Sequence, residues 1–327
     1  MTRPSAHAIA PSWQVWTALL TVYVLWGSTY IAIRVMVETM PPLLACAVRF
    51  SLAGLVVLSV IALRGGRTRL RVSRVEVAGA ALIGTIMLGL GNSGVTMGER
   101  DLPAGVTALI MGIIPLVVLL LRRFVGGERV ARASMLGVGT GLIGLVVLVA
   151  PLGLTGQIAP VGLALVLLAA SSWAVGAFLS GRITLPADPI VSTGYQLMAG
   201  ATAALLFGLL DGEAGQVTPS SWSSASLWAM VYLVVFGSLI GYTAYTWLLQ
   251  HAPVSKAATY AYVNPVVAVF LGWLLLGESV TAGMAVGAAL IVVSVAFIIR
   301  TEARPVRARD DDLEPTTFLA EPSGPAV

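Results

Sequence analysis

Apolar residues fall in ten long runs along this chain, separated by short polar connectors. The runs lie near residues 16–37, 41–64, 76–98, 104–122, 134–150, 160–182, 189–210, 226–250, 255–276 and 281–300. Most are near the roughly 20 residues that an α-helix needs to cross a hydrocarbon layer about 30 Å thick. Backbone polar groups find no water there, so helices that satisfy their own hydrogen bonds are the expected form. The pattern predicts an all-α integral membrane protein of ten transmembrane helices. The first run is longer than the apolar core of a signal peptide and lacks an Ala-x-Ala-like exit, so it reads as a retained helix.

Composition points the same way. The 327 residues are 57% hydrophobic and only 10% charged, with a mean hydropathy of +0.92. A soluble fold of this size could not cover its surface with so few charges. The single cysteine, Cys46, excludes an internal disulfide and a cysteine-based metal cluster. His7 and His251 leave little material for a histidine-ligated metal, so neither a metal nor a cofactor is expected. The net charge of +4 is scattered over loop ends rather than gathered on one basic face, so no nucleic-acid partner is expected. The expected partners are the lipid bilayer and a small-molecule substrate.

The basic residues orient the helices, because lysine and arginine favour cytoplasmic loops. With the N-terminus inside, the inner side holds 16 of the 19 basic residues. They are Arg3, Arg64, Arg67, Arg69, Arg71, Arg74, Arg122, Arg123, Arg129, Arg132, Arg182, Lys256, Arg300, Arg304, Arg307 and Arg309. Arg100 and Arg34 fall toward the outer side and Arg49 lies within a span. An even number of spans puts both termini in the cytoplasm. Residues 1–13 then form a cytoplasmic segment. Residues 301–327, with Asp310-Asp311-Asp312 and several prolines, form a disordered cytoplasmic tail.

The chain also repeats itself. At an offset of 150, Ile114-Pro115-Leu116-Val117 lies over Asn264-Pro265-Val266-Val267, and Gly127-Glu128 over Gly277-Glu278. Gly91 falls on Gly241, Pro103 on Pro253 and Gly137 on Gly287 at the same offset; at 147, Trp26 falls on Trp173 and Pro42 on Pro189. The halves are residues 14–150 and 160–300, each with five spans. Five is odd, so the second half enters the membrane from the opposite face. Inverted repeats of this kind are frequent in secondary transporters, with a substrate site near the midplane between the halves.

Several stretches resemble the drug/metabolite transporter superfamily, and within it the EamA-domain family and its YedA-type bacterial inner-membrane members. They are Trp26-Gly27-Ser28-Thr29-Tyr30, Pro41-Pro42-Leu43 with Arg49-Phe50, Ser171-Ser172-Trp173-Ala174, and the run from Tyr260 to Val269 ahead of Gly277-Glu278. The resemblance covers about residues 14–300. It implies a ten-helix exporter of amino acids, related metabolites or drugs, possessing two EamA repeats and a central cavity.

Polar groups inside a span need a partner, a cavity or a packing role. Arg49 fits two roles: a structural arginine bonded to helix-end carbonyls, or a cation that attracts a substrate carboxylate. Its repeat-mate is Gln196. Trp26, Tyr30, Asn92, Trp173, Tyr242, Tyr260 and Asn264 also lie inside spans, either as packing residues or as the lining of the cavity. Pro115 and Pro265 sit mid-helix and would kink it, because proline removes a backbone donor. Gly137/Gly141 and Gly283/Gly287 allow close helix contact, within a monomer or across a weak homodimer. No carboxylate lies at the centre of any span. Glu99, near the outer mouth, is the candidate for proton coupling; without it the protein is a facilitator or exchanger. No phosphate-binding loop suggests direct use of ATP, and no interfacial cluster of His, Asp, Glu or Cys suggests an enzyme. A flippase of a lipid-linked small molecule is the alternative, and it predicts a cavity open sideways to lipid.

Overall fold

A computed structural model of the chain describes residues 11–128, 130–154, 159–252, 257 and 260–302. Among these residues all regular structure is helical and no strand occurs. The long helices are α1 (Ser12–Val37) and α2 (Pro42–Arg64), α3 (Arg74–Gly98) and α4 (Ala104–Phe124), and α5 (Arg132–Leu154) and α6 (Pro160–Ser180). They continue with α7 (Pro189–Leu210), α8 (Ser224–His251), α9 (Tyr260–Leu276) and α10 (Ala282–Glu302). Seven of them, α1–α4 and α6–α8, are long and apolar enough to cross a membrane, and shorter apolar segments Val263–Leu276 and Ala282–Ser294 lie in α9 and α10. Residues 1–10, the tail from 303, and Arg129, Pro253 and Lys256 fall outside the described residues.

The helix starts follow from local chemistry. Proline occupies the first turn of α2, α6 and α7, where its missing N–H costs nothing. Ser73 and Glu76 close a reciprocal capping box at the start of α3, and Ser223 accepts from the Ser226 amide at the start of α8. Two starts are capped from a distance. Glu213, fully buried, accepts from the amides of Leu43 (3.1 Å) and Leu44 (2.8 Å) at the head of α2. Glu278 accepts from Ala104 (2.8 Å) and Gly105 (3.1 Å) at the head of α4. A carboxylate at the positive end of a helix satisfies orphan donors and opposes the dipole.

The two halves are interleaved rather than laid side by side. α1 packs on α9 and α6 on α4; α3 packs on α7 and α8 on α2; α2 runs along α7 and α5 along α10. Each of these contacts joins one half to the other. Small residues permit it. A Cβ on Gly54 would meet Met198 of α7, and one on Gly194 would meet Leu58 of α2. The stripe at Gly137/Gly141 is used within the chain, since Ser294 of α10 donates to the Gly137 carbonyl and Gly141 faces Leu116 and Ser294. Of the seven long apolar helices, α4 is the most enclosed, with 83% of its most apolar window buried. Large apolar side chains such as Leu20, Leu55, Leu63, Leu210 and Trp273 are exposed on the outside, a surface that suits lipid and not water.

The backbone carries the repeat as well. The glycines with positive φ among the described residues are Gly66 and Gly212, 146 apart, and Gly127 and Gly277, 150 apart. Each ends a helix or follows its end, where the left-handed region is open to glycine without penalty. Two π-helical stretches also correspond: Thr85–Asn92 in α3 and Leu233–Tyr242 in α8. Stretches of this kind widen the helix and re-aim side chains, and they recur at functional sites.

Candidate functional site

A small cavity of about 40 Å³ lies where α1, α2, α3, α4, α6, α8 and α9 meet. Trp26 and Tyr30 reach it from α1, Arg49 from α2, Asn92 from α3, Trp173 from α6, Tyr242 from α8 and Tyr260 from α9. Thr29, Phe50, Met111, Ile114 and Ser238 complete much of the wall. Of the intramembrane polar and aromatic residues expected at the site, Asn264 alone does not line this space. It is buried one turn beyond Tyr260, and with its amide turned to donate it reaches the carbonyls of Tyr23 (3.1 Å) and Tyr260 (3.2 Å). Asn264 thus fastens α9 to α1.

The aromatic rings form one continuous cluster. Trp26 meets Trp173 edge-on with ring centroids 5.2 Å apart, Tyr260 edge-on at 5.3 Å and Tyr245 at 4.8 Å. Tyr245 in turn meets Tyr260 at 5.6 Å and Trp173 at 5.8 Å. The sequence alone does not mark Tyr245 as a site residue, although it shares a helical stripe with Ser238 and Tyr242. Its role emerges only when α1, α6 and α9 converge on α8. Glycines seat the two tryptophans. A Cβ on Gly241 of α8 would lie 2.6 Å from the Trp26 Nε1, and one on Gly91 of α3 would lie 2.7 Å from the Trp173 Cδ1. The Trp26 indole N–H also donates to the Gly237 carbonyl at 3.2 Å, within the π-helical stretch of α8.

Arg49 is 3% exposed and its guanidinium borders the cavity. Its Nε donates to the Ser238 hydroxyl (2.8 Å) and its Nη1 to the Asn92 side-chain oxygen (3.4 Å), while the group lies 5.0 Å from the Phe50 ring centre. The ion pairs seen among the described residues join Arg69 to Asp188 and Glu128 to Arg122 and Arg182, and none involves Arg49. The repeat-mate Gln196 makes a neutral version of the same network. It accepts from the Tyr242 hydroxyl (2.6 Å) and donates to Ser192 (2.9 Å).

Above the cavity, Arg34 near the end of α1 donates to the carbonyls of Glu99 and Arg100, the latter at 2.9 Å, and so ties α1 to the turn between α3 and α4. Glu99 follows α3 directly. It is fully buried, and neither of its carboxylate oxygens has a hydrogen-bond partner. Burial pushes this carboxyl well above the usual carboxylate range; the nearby Glu278 adds to the rise and Arg34 opposes it.

The prolines differ in setting. Gly112 and Ile113 interrupt α4, and Pro115 opens the helical segment that follows them, next to the cavity residue Ile114. Pro265 lies inside α9 and borders an apolar outer groove with Leu109, Val266, Phe270 and Trp273. It is buried, and it lines that groove and not the central cavity.

A helical membrane protein whose two halves line a polar-tipped aromatic cavity has the architecture a transporter needs. Residues 13–150 and 160–300 each match the EamA-like transporter family. This chain belongs to that family, within the drug/metabolite transporter superfamily, and is a transporter and not an enzyme. It is 35% identical over 283 residues to the uncharacterized inner membrane transporter YedA of Escherichia coli K12, covering 86% of this chain and 89% of that protein. It is 29% identical over 296 residues to a probable amino-acid metabolite efflux pump of Salmonella typhimurium, covering 87% and 96%. It is 27% identical over 281 residues to the uncharacterized transporter YoaV of Bacillus subtilis, covering 85% and 94%. A crystal structure at 23% identity shares the fold, with a TM-score of 0.63 over 89% of this chain and 98% of that one.

Proposed function

We propose that this protein is a secondary transporter that exports small metabolites, amino acids or related compounds, across the cytoplasmic membrane. Ten spans in two inverted halves, with both termini in the cytoplasm, enclose the cavity through which the substrate passes. The observation that carries the reading is Arg49, a buried cation at the cavity wall whose bonded side-chain partners are a hydroxyl and an amide oxygen. Its charge is left for a ligand to neutralise. A carboxylate fits, because the guanidinium is a planar fork that matches two oxygens. Trp26, Trp173 and Tyr260 supply apolar contact for the rest of the molecule, and Asn92 and Tyr242 orient its polar groups. The efflux assignment of the Salmonella relative supports amino-acid-like cargo.

The alternative, a flippase for a lipid-linked molecule, calls for a cavity continuous with the bilayer. The apolar groove beside Pro265 and a second one between α2, α7 and α8, near Leu44, Leu52, Leu205 and Met230, share no lining residue with the central cavity. That separation favours passage between two aqueous sides.

The test is efflux from proteoliposomes loaded with radiolabelled L-amino acids and, in parallel, with their amides. Export of the acids with little export of the amides is expected, and Arg49→Gln should erase that preference. Absence of flux for every compound would defeat the reading. Topology is tested separately by reporter fusions. Cytoplasmic signal is expected near residues 66 and 127, and outer signal near 101 and 213.

A further inference from the structure

Glu99 combines two features that do not ordinarily coexist. It is wholly enclosed, and both side-chain oxygens are unpartnered. An ionised carboxylate in that setting is far costlier than the neutral acid. The nearby cation Arg34 directs its Nη1 to the backbone carbonyls of Glu99 and Arg100 and makes no hydrogen bond to the carboxylate. The other titratable groups around it are Tyr30 on α1, Glu278 beyond α9, and Arg100 and Asp101 on its own turn. Glu278 is committed to the amides of α4, and on the α2 side Cys46 bonds to Thr96. One turn inward from Glu99, Val95 lines the cavity, as does Tyr30. The carboxyl therefore sits at the boundary between the substrate cavity and the outer surface.

We propose that Glu99 is the proton-binding site that couples export to proton entry, an inference that rests on the transporter reading above. In the closed mouth the group is a neutral acid. Its proton passes to a water molecule on the cavity side, the carboxyl O–H bond breaking with the electron pair retained on the carboxylate, and Arg34 then turns from the carbonyls to neutralise the new charge. The sign follows. A carboxyl whose proton affinity is raised by closure stabilises the closed mouth at low pH, and that stabilisation is lost as pH rises through the raised value. In the transport cycle the empty, outward-open form takes a proton from outside at Glu99 and closes. It releases the proton along the cavity to the cytoplasm before the next substrate loads.

Two measurements on the full-length reconstituted protein test this. Infrared difference spectra are expected to show a protonated-carboxyl C=O band that disappears only well above the ordinary carboxylate range and is missing in Glu99→Gln. Proteoliposomes with an imposed pH difference are expected to accumulate a radiolabelled L-amino-acid mixture above equilibrium. Glu99→Gln should lose that accumulation while still exchanging labelled for unlabelled amino acid, and Glu99→Asp should restore it with a displaced pH dependence. A band that titrates in the ordinary range or persists in Glu99→Gln overturns the proposal, and so does gradient-driven accumulation by Glu99→Gln equal to that of the unsubstituted protein. Failure of the unsubstituted protein to exchange any amino acid would sink the transport reading instead, and the infrared titration would still decide the proton site.

Discussion

Trp26 and Trp173 occupy matching places in the two halves, and they meet edge-to-face 5.2 Å apart at the centre of the molecule. Each lies on a glycine of the opposite half: Trp26 on Gly241 and Trp173 on Gly91. The glycines themselves are 150 residues apart and stand inside or beside the two π-helical stretches. The arrangement makes the ring pair a joint between the halves as well as a cavity wall.

Gly91→Ala and Gly241→Ala should therefore each destabilise the protein, because the added methyl enters space held by an indole. Overpacking of this sort costs about 1–3 kcal/mol. Thermal unfolding in detergent measures it. Combining Gly91→Ala with Trp173→Ala should cost less than the sum of the two single changes, since the second removes the clash created by the first.

Truncating either tryptophan alone separates packing from binding. Trp26→Ala and Trp173→Ala are expected to reduce export more than they reduce the amount of folded protein. Equal losses in flux and in monodisperse protein would assign the pair to packing alone.

Arg49→Lys keeps the charge but loses the fork that reaches Ser238 and Asn92 together. Hydrogen bonds to charged groups are worth about 1.5–3 kcal/mol, so the lysine variant should be less stable and should bind carboxylates less well. Arg49→Gln should fold and lose the discrimination between acid and amide. Failure of Arg49→Gln to fold would make the arginine structural.

The remote caps offer a test of the fold. Glu213→Gln and Glu278→Gln each remove a charge from a helix head, and each should cost roughly 1 kcal/mol or somewhat more. Thermal melts at low and high salt check this. The buried Glu213 effect should be nearly independent of salt, because screening ions do not reach it.

Arg69 and Asp188 supply a contrast at a half-exposed ion pair. Asp188 accepts from the Ile190 amide (2.9 Å) as the cap of α7 and also holds Arg69 (2.6 Å). Arg69→Ala removes a half-exposed ion pair worth at most about 1 kcal/mol. Asp188→Ala removes the cap too and should lower the melting temperature further.

The apolar runs along the chain determined where the helices lie, because a membrane span is set by length and hydropathy and needs no partner to be recognised. They placed α3, α7 and α8 within a few residues of Arg74–Gly98, Pro189–Leu210 and Ser224–His251. The repeat was legible too, since Trp26, Gly91 and Gly127 have visible mates. The pairing of Gly66 with Gly212 is not legible in the sequence, because a lone glycine in a loop does not announce its backbone angle. Tertiary structure decided which intramembrane residues share a space. Asn264 and Tyr260 are one turn apart on α9, yet only Tyr260 lines the cavity, because α1 takes up the amide of Asn264. It also decided that Glu99, at a helix end that reads as exposed, is sealed under Arg34 and left without partners. Hydropathy is a local property and survives in one dimension, whereas burial and pairing depend on which helices meet.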